Sequence, residues 1–437
     1  MDYKAYFKGK KVTLMRIGLL GRGVGDAATL AECGADVLVV DDAPQEVMQP
    51  SVDKLKKYKN IKFKFGPYDI NDFRNCDFVL KGAGTPLDSP EIAEARKYGI
   101  PVEMSASLFA KLAGIPIIGI TGTRGKSTVT HLIYHILGVA KKKVLLGGNV
   151  VGVSTLALLP KAKSADYAVF ELDSWQLQGF GESGLSPQMA VFTTFMDDHL
   201  AYYKGDRSLY FKDKANIFMY QKDTDWCVVG KQVAPMIKEF KGNFITAPTS
   251  VKGFTTKLKG AHNLYNVAIA VTVARKLGVK DSVIQKAVKS FAGVPGRLEL
   301  VRVVKGVSYY NDTTATTPDA TIAALRALGD TKKKNIILVM GGSDKNLSFD
   351  ELLKIIPKYC KAVIFLSGTG TEKLKVAWSK MKVPAVEYNA MKYALEEAKE
   401  LSKKGDIVLL SPAFASFGLF KNEYDRGEQF DKIVKKI

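Results

Sequence analysis

Short apolar runs alternate along the chain with stretches in which apolar positions recur every three or four residues. Short apolar runs between turn residues predict buried strands, whereas the i, i+3, i+4, i+7 pattern predicts an amphipathic helix. Runs that we interpret as strands cover residues 12–17, 36–40, 78–80, 115–120, 167–170, 189–195, 336–340, 363–366 and 407–410. Strands that alternate with helices along the chain predict parallel sheets, so the fold class is α/β.

The 437 residues suffice for two or three domains. The pattern predicts a Rossmann-like N-terminal domain over residues 1–112 and a central domain over residues 113–293, with a parallel sheet like that of P-loop ATPases. A second Rossmann-like domain follows over residues 294–437, after the turn Gly293-Val-Pro295-Gly296.

A loop of glycines and hydroxyl residues follows the predicted strand 115–120 and precedes a helix whose apolar face begins at Val129. Backbone N–H groups, the helix N-terminus and a lysine at this place suit the phosphates of a nucleotide. The loop residues are Gly122, Thr123, Arg124, Gly125, Lys126, Ser127 and Thr128. Ser127 or Thr128 is positioned to ligate Mg²⁺. The usual P-loop spacing would put glycine at 120, which is Ile here, and a glycine turn without a nucleotide is the alternative.

Polar residues at the ends of other predicted strands are further candidates for ligand binding. Glu171 follows strand 167–170, the usual place for a Mg²⁺ ligand, and His199 lies in a polar cluster after strand 189–195. In the first domain, a glycine turn that contains Gly21 follows the first strand, and Asp41 follows the second. This order suits a nucleotide-type ligand, although a turn that serves only packing fits the irregular glycine spacing equally well.

The formal charge of +20 is compatible with a protein that binds nucleic acid, a membrane surface or a polyanionic substrate. Because the lysines are dispersed, a solvated surface explains them better than a nucleic-acid footprint does, so we expect no nucleic-acid partner. Apolar runs are too short to span a bilayer, and the N-terminus lacks the plan of a signal peptide. The four cysteines lie far apart, which favours free thiols and a cytoplasmic protein.

Several motifs, in order along almost the whole chain, resemble those of the Mur ligases. They lie at residues 121–128, 147–149, 171–174, 197–199, 262–266, 295–297, 311–312, 410–416 and 420–427. The resemblance implies an ATP-dependent ligase of peptidoglycan precursor synthesis. In this chemistry a substrate carboxylate attacks the γ-phosphate of ATP, and an incoming amine then displaces phosphate from the acyl phosphate. The substrates implied are UDP-N-acetylmuramoyl-L-alanine and glutamate, and we expect the enzyme to be a monomer.

The resemblance also implies roles for individual residues. The implied catalytic residues are Lys126, Glu171, His199 and Lys214. Two Mg²⁺ ions are implied, with Ser127, Glu171 and a carbamylated Lys214 as ligands; Lys212 is a neighbour that the residues alone do not exclude. The implied ATP contacts beyond the loop are Asn266, Arg297 and Asp312. The implied sugar-nucleotide contacts are Gly21, Arg22, Asp41, Gly84 and Asn149, and the implied amino-acid contacts are Thr316, Lys345, Ser416 and Phe417.

Three residues depart from the family pattern. Arg124 replaces an asparagine of the loop, Thr314 replaces a lysine, and Glu423 replaces an aromatic residue beside the amino-acid site. The last two leave L-glutamate or another amino acid open beside D-glutamate. Three different functions also stay open at this point: a folylpolyglutamate-synthase-like enzyme of the same superfamily, a basic nucleic-acid-binding ATPase, and a catalytically silent nucleotide-binding regulator.

Overall fold

The computed structural model describes residues 2–199, 202–237, 242–378 and 381–437. These residues build three sheets, two of them all-parallel and the third mixed. The chain divides into two compact units. The first comprises Met1–Phe254 and Asn266–Val288, and the second comprises Thr255–Tyr265 and Lys289–Ile437. The predicted α/β class with several parallel sheets is confirmed.

The first sheet has five strands in the order β3-β2-β1-β4-β5. Its region contains α1 (Tyr3–Phe7), β1 (Lys11–Met15), α2 (Arg22–Glu32), β2 (Asp36–Asp41), α3 (Gln45–Leu55), β3 (Ile61–Phe65), β4 (Phe78–Lys81), α4 (Pro90–Lys97), β5 (Val102–Glu103) and α5 (Ser105–Leu112). The strand order reverses between β1 and β4, which is the place where open parallel sheets bind ligands. The turns that contain Gly21 and Gly84 follow these two strands.

The second sheet has six parallel strands in the order β11-β10-β9-β6-β8-β7. The elements from here to the end of the central segment are β6 (Ile117–Thr121), α6 (Lys126–Val139), β7 (Val144–Gly148), α7 (Leu159–Ala162), β8 (Tyr167–Glu171), α8 (Ser174–Glu182), β9 (Met189–Phe192), α9 (Arg207–Ala215), β10 (Trp226–Val229), β11 (Asn243–Thr246), α10 (Ala261–Lys276) and α11 (Asp281–Ser290). Strand β6 lies between β8 and β9, so the phosphate loop is flanked by the carboxyl ends of both.

The third sheet, in the second unit, has the order β12-β13-β17-β14-β15-β16. Its elements are β12 (Glu299–Val304), β13 (Val307–Asn311), α12 (Pro318–Leu328), β14 (Ile336–Gly341), α13 (Asp350–Tyr359), β15 (Cys360–Leu366), α14 (Thr369–Trp378), β16 (Ala385–Tyr388), α15 (Met391–Leu401), β17 (Ile407–Leu410) and α16 (Glu423–Val434). Strand β12 is antiparallel to β13, and the other strand pairs of this sheet are parallel.

Burial follows the hydrophobic pattern of the sequence. Strand β6 is buried along its whole length, and α6 buries the apolar face that begins at Val129. Apolar side chains cover both faces of the third sheet. In the ranges that the structure describes, none of the helices combines the length and the apolar character that a membrane crossing requires.

Candidate active site

The phosphate loop links β6 to α6 through two glycines with positive φ. Gly122 has φ 142° and Gly125 has φ 88°, values that L side chains rarely adopt. A Cβ atom at Gly122 would lie 2.0 Å from Oγ1 of Thr193, so no side chain fits there. Helix α6 begins at Lys126, directly after Gly125. The glycines therefore let the loop close tightly ahead of a helix N-terminus, the arrangement that binds anions.

Two threonines after β9 fix the shape of the loop. The Thr193 hydroxyl donates to the backbone oxygen of Arg124 at 2.6 Å, and the Thr194 hydroxyl accepts from the Arg124 backbone N–H at 2.9 Å. The backbone N–H of Thr123 donates to the Thr194 carbonyl at 2.7 Å. The predicted strand 189–195 therefore ends early, at Phe192, because the next residues turn to bond the loop.

Two lysines converge on the start of the loop. Nζ of Lys126 donates to the carbonyl oxygens of Gly122 and Thr123 at 2.9 and 3.1 Å. Nζ of Lys214, on α9, donates to the same Gly122 oxygen at 3.1 Å and lies 4.8 Å from the ring centre of Tyr210. Lys214 is 1% exposed. Burial, helped by the charge of Lys126, lowers the pKa of Lys214 well below its usual value.

A charged cluster lies beside the loop. Nη1 of Arg124 is 3.0 Å from a carboxylate oxygen of Asp198, whose other neighbour is His199. Burial acts to raise the pKa of Asp198, but the charges of His199 and Arg124 lower it overall. Burial lowers the pKa of His199. The His199 ring packs 4.7 Å from that of Trp175, and its backbone has φ 53°.

Glu171 and Ser127 supply oxygen atoms of the kind that divalent cations bind. Glu171 ends β8 in register with Ile120 of β6 and is 4% exposed, and Ser127 lies in the first turn of α6. No cluster of three His, Cys, Asp or Glu side chains suited to a metal occurs among the described residues. This donor set fits Mg²⁺, which takes one or two protein oxygens and completes its shell with phosphate oxygens and water.

Asn266 packs against the phosphate loop. A Cβ atom at Gly125 would lie 2.4 Å from Oδ1 of Asn266, so the amide and the loop backbone are in direct contact. Asn266 is 6% exposed and belongs to α10. Lys126, Lys214, Asp198 and Asn266 are thus brought to one loop, although long stretches of sequence separate them.

The predicted sugar-nucleotide residues all lie in the first unit, and two of them are in direct contact. Nη1 of Arg22 donates to Oδ1 of Asn149 at 2.7 Å, which joins α2 to the loop after β7. Gly21 precedes α2 with φ 86°, and Gly84 lies exposed in the turn after β4. Asp41 is different: its carboxylate accepts from the backbone N–H groups of Ile17 and Ala43 at 2.9 and 3.1 Å. Asp41 therefore shapes the turns after β1 and β2.

The acid next to Asp41 faces a cavity. Asp42 is partly exposed and lies 2.6 Å from Nη2 of Arg16. It lines a cavity of about 650 Å³ at the carboxyl ends of β2 and β3, together with Pro44, Gln45, Glu46, Val52, Phe63, Phe65, Gly66 and Pro67. Flat apolar walls with carboxylates at the rim suit a polar ring with hydrogen-bond donors.

In the second unit, Asp312 is a buried carboxyl at the end of β13. It accepts from the Leu298 backbone N–H at 3.0 Å and from the Ser411 hydroxyl at 2.9 Å. Burial raises its pKa to about 7, although these two bonds and the charge of Arg297 favour the ionised form. Arg297 itself is exposed, next to Gly296 with its φ of 70°.

The predicted amino-acid residues also lie in the second unit. Nζ of Lys345 donates to the Thr316 hydroxyl at 2.9 Å. Ser416 is buried and Phe417 is 64% exposed, and the Phe417 carbonyl accepts from the Ser343 hydroxyl. The loops after β13, β14 and β17 therefore lie side by side.

The two departures in this unit have structural explanations. The Thr314 hydroxyl donates to the Gly296 carbonyl at 3.0 Å and so closes the turn before Arg297. Glu423 is the first residue of α16, where an acid is favourable near the helix N-terminus, and its backbone oxygen accepts from the Thr313 hydroxyl at 2.7 Å.

Sequence reasoning missed Arg426, which holds two of these loops together. Its guanidinium donates to the Thr313 carbonyl at 2.9 Å and to the Phe414 carbonyl at 3.3 Å, and the side chain is 0% exposed. Burial lowers its pKa to about 10, against the charge of Glu423. The sequence signals were its place in the motif at residues 420–427 and its spacing from the buried positions Phe430 and Val434 of α16.

The comparisons with known proteins agree with this geometry. Residues 120–244 match the Mur ligase middle domain, and residues 296–414 match the Mur ligase glutamate ligase domain. The chain is 35% identical to the UDP-N-acetylmuramoylalanine--D-glutamate ligase of Roseiflexus sp. over 98% of this chain and 99% of the relative. It is 33% identical to the enzyme of that name from Borreliella afzelii over 98% of both.

A solved structure extends the likeness to the fold. The UDP-N-acetylmuramate-alanine ligase of Thermotoga maritima superposes with a TM-score of 0.64 at 19% identity, over 98% of this chain and 99% of that one. Because sequence identity to the Roseiflexus protein extends along nearly the whole of both chains, this chain belongs to the Mur ligase family of ATP-dependent amide ligases.

Proposed function

We propose that the protein joins D-glutamate to the alanine carboxylate of UDP-N-acetylmuramoyl-L-alanine, with ATP cleaved to ADP and phosphate. The observation that carries the proposal is the convergence of Lys126 and Lys214 on one loop carbonyl, beside an oxygen-donor pair at Ser127 and Glu171. Relatives that share the whole length of the chain bear this activity in their names.

In the first half-reaction, the phosphate loop holds the phosphates of ATP through its backbone N–H groups. Lys126 swings from the loop carbonyls to the phosphate oxygens and offsets the negative charge that develops on the γ-phosphoryl group. Mg²⁺ held by Ser127 and Glu171 would supply further charge neutralisation at these oxygens. The alanine carboxylate attacks the γ-phosphorus, the bond to ADP breaks, and an acyl phosphate forms.

Lys214 is suited to become a carbamate. Its depressed pKa favours the neutral amine, and only a neutral amine has the lone pair that adds to carbon dioxide. The adduct loses a proton and carries a negative charge, so it turns a neutral amine into an anionic oxygen ligand for a second Mg²⁺. Lys212, on the same helix, is not among the buried residues of α9, which favours Lys214 for this role.

We assign His199 to the region of the acyl carbon, where it would bind the substrate. Its lowered pKa keeps the imidazole neutral near pH 7, so a ring nitrogen is available to accept a hydrogen bond. In the second half-reaction the amine of glutamate adds to the acyl phosphate, and phosphate leaves from the tetrahedral intermediate.

The remaining residues are assigned to binding. Asn266, Arg297 and Asp312 would contact the adenine, phosphates and ribose of ATP. The sugar nucleotide would be held by Gly21, Arg22, Asp41, Gly84 and Asn149. Because the Asp41 carboxylate already accepts from backbone N–H groups, we assign the base of the sugar nucleotide to Asp42, which lines the neighbouring cavity. Thr316, Lys345, Ser416 and Phe417 would hold glutamate, with Lys345 as the cation for a carboxylate.

We also propose that the protein acts as a monomer in the cytoplasm, where ATP and sugar nucleotides are made, and that its three functional domains follow the divisions at residues 112 and 293. The four cysteines are free thiols in the structure, which agrees with a reducing compartment.

An amino-acid panel tests the proposal. Phosphate release is measured with ATP, Mg²⁺ and UDP-N-acetylmuramoyl-L-alanine against every amino acid, including both enantiomers of glutamate. Release that requires D-glutamate, with a product heavier by one glutamyl residue, supports the assignment. Faster phosphate release with L-glutamate would show that the enzyme adds the L enantiomer. Phosphate release with a folate in place of the sugar nucleotide would show that the protein is a folylpolyglutamate-synthase-like enzyme.

A further inference from the structure

Helix α2 carries a buried carboxyl group that the proposed chemistry does not use. Asp26 is 8% exposed, and one of its carboxylate oxygens accepts from the hydroxyls of Ser154 and Ser105 at 2.6 and 2.8 Å. The backbone N–H of Leu156 donates in turn to the Ser105 hydroxyl at 3.3 Å. Burial raises the pKa of Asp26 to about 6, against the hydrogen bonds from the two serines and the charge of Arg22.

The donors come from two segments outside α2. Ser105 begins α5, whereas Ser154 and Leu156 belong to the loop that follows β7 of the second sheet. Helix and loop touch closely, since a Cβ atom at Gly25 would lie 2.4 Å from Cβ of Ser154. Asp26 therefore fastens a helix of the first sheet to a loop of the second.

The other end of the same loop carries Asn149. Its backbone N–H donates to the Glu171 carbonyl at 2.7 Å, and its side-chain oxygen accepts from Arg22 at 2.7 Å. Arg22 and Asp26 are one helical turn apart on α2. The loop 149–156 is thus attached to α2 at both ends, once through Arg22 and once through Asp26.

We propose that Asp26 is a positioning residue for the sugar-nucleotide site: it holds the loop 149–156 against α2 so that Asn149 and Arg22 face the same ligand. This inference rests on the proposed function, which assigns Arg22 and Asn149 to that ligand. A buried carboxyl is a costly way to fill space, and an apolar side chain would pack there at lower cost. Unlike an apolar side chain, the carboxylate forms directional hydrogen bonds, and these hold two segments of the chain at one point.

Substitutions separate positioning from stability. Asp26→Asn keeps the size but removes the charge, so the hydroxyls of Ser154 and Ser105 donate to a neutral amide oxygen in weaker hydrogen bonds, and an N–H₂ donor replaces the second carboxylate oxygen. Ser154→Ala is a milder change that removes one donor and leaves the carboxyl in place. Asp53→Asn, on the exposed face of α3, is the matched control.

Calorimetric binding of UDP-N-acetylmuramoyl-L-alanine and, separately, of ATP is the readout. Each of Asp26→Asn and Ser154→Ala is expected to weaken sugar-nucleotide binding about tenfold, as for one lost buried hydrogen bond. ATP binding is expected to stay within about twofold, because its loop is bonded through Thr193 and Thr194 instead. Asp53→Asn is expected to change neither.

A double substitution decides between positioning and a general loss of structure. If Asp26 acts through Asn149, then Asp26→Asn weakens binding no further once Asn149→Ala is present. Additive losses, equal losses for both ligands, or no loss in either variant would overturn the inference. If the unaltered protein itself bound no sugar nucleotide, the proposed function would be wrong and the inference would fall with it, whereas normal binding by all variants would remove the inference alone.

Discussion

The Nζ atom of Lys214 lies 3.1 Å from the carbonyl oxygen of Gly122, at the residue where strand β6 gives way to the phosphate loop. This contact joins helix α9 to the loop across 92 residues of sequence. It places an amine with a depressed pKa at the start of the phosphate loop. The proposed carbamate depends on this relationship.

Lys214→Ala is expected to reduce phosphate release at least about 100-fold, because it removes the ligand proposed for the second Mg²⁺. Formate or acetate is expected to restore part of the activity by entering the vacated space as a carboxylate. Lys212→Ala, which changes a lysine of the same helix outside its buried face, is the control and is expected to keep near-normal rates. Full activity in Lys214→Ala would remove the second-metal assignment.

Asp312→Asn is expected to make stability depend less on pH. Because burial raises the pKa of Asp312 from 3.8 to about 7, the folded state holds the proton more tightly than the unfolded state does. The contribution of this proton to the free energy of unfolding is fully present below about pH 4 and is lost as the pH rises towards 7. The variant stays neutral throughout.

Between pH 5 and pH 8 the unaltered protein should therefore lose thermal stability relative to Asp312→Asn. The difference between the two thermal midpoints should change by on the order of 5 °C in favour of the variant. Asp350→Asn, which changes an exposed acid of the same unit, is expected to show no such trend. A difference that stays constant with pH would show that Asp312 does not hold a proton in the folded state.

Arg426→Lys is expected to raise the KM for glutamate about tenfold. An ammonium lacks the planar fork that reaches the Thr313 and Phe414 carbonyls at once, so the two loops lose their common support. Sugar-nucleotide binding, which depends on residues of the first unit, should change little. Arg302→Lys, on exposed β12, serves as the comparison. An unchanged glutamate KM would mean that the loops hold their shape without Arg426.

Glu423→Gln tests whether the unusual acid faces the amino-acid site. We expect the glutamate KM to stay within about twofold, because the contact with Thr313 is made by the backbone. Stability should fall by about 0.5 kcal/mol, the value of an acid near a helix N-terminus. A several-fold lower KM would instead show that the carboxylate repels the substrate.

Sequence alone predicts those parts of the site whose structure is determined by residues adjacent along the chain. The phosphate loop is one example, since its strand, glycines and helix are contiguous and each has a local physical signature. Glu171 is another, because a carboxylate directly after a buried strand lies at the ligand-binding edge of a parallel sheet.

The parts that sequence does not predict depend on distant partners. Thr193 bonds Arg124 across 69 residues, and Arg426 bonds Thr313 across 113. Nothing in a lone threonine or arginine indicates such a partner before the fold is known. Asp41 is a further example: its position after a strand predicts a ligand contact, but only the structure shows that its carboxylate also accepts from the backbone N–H groups of Ile17, Gly18 and Ala43.

The transfer of oxygen from substrate to phosphate tests the central claim most directly. UDP-N-acetylmuramoyl-L-alanine labelled with ¹⁸O at both alanine carboxyl oxygens is turned over with ATP, Mg²⁺ and D-glutamate, and the released phosphate is analysed by mass spectrometry. An acyl phosphate requires one labelled oxygen in each phosphate, since that oxygen leaves with phosphorus when the amine attacks. Unlabelled phosphate would show that ATP is hydrolysed by water and would contradict the account.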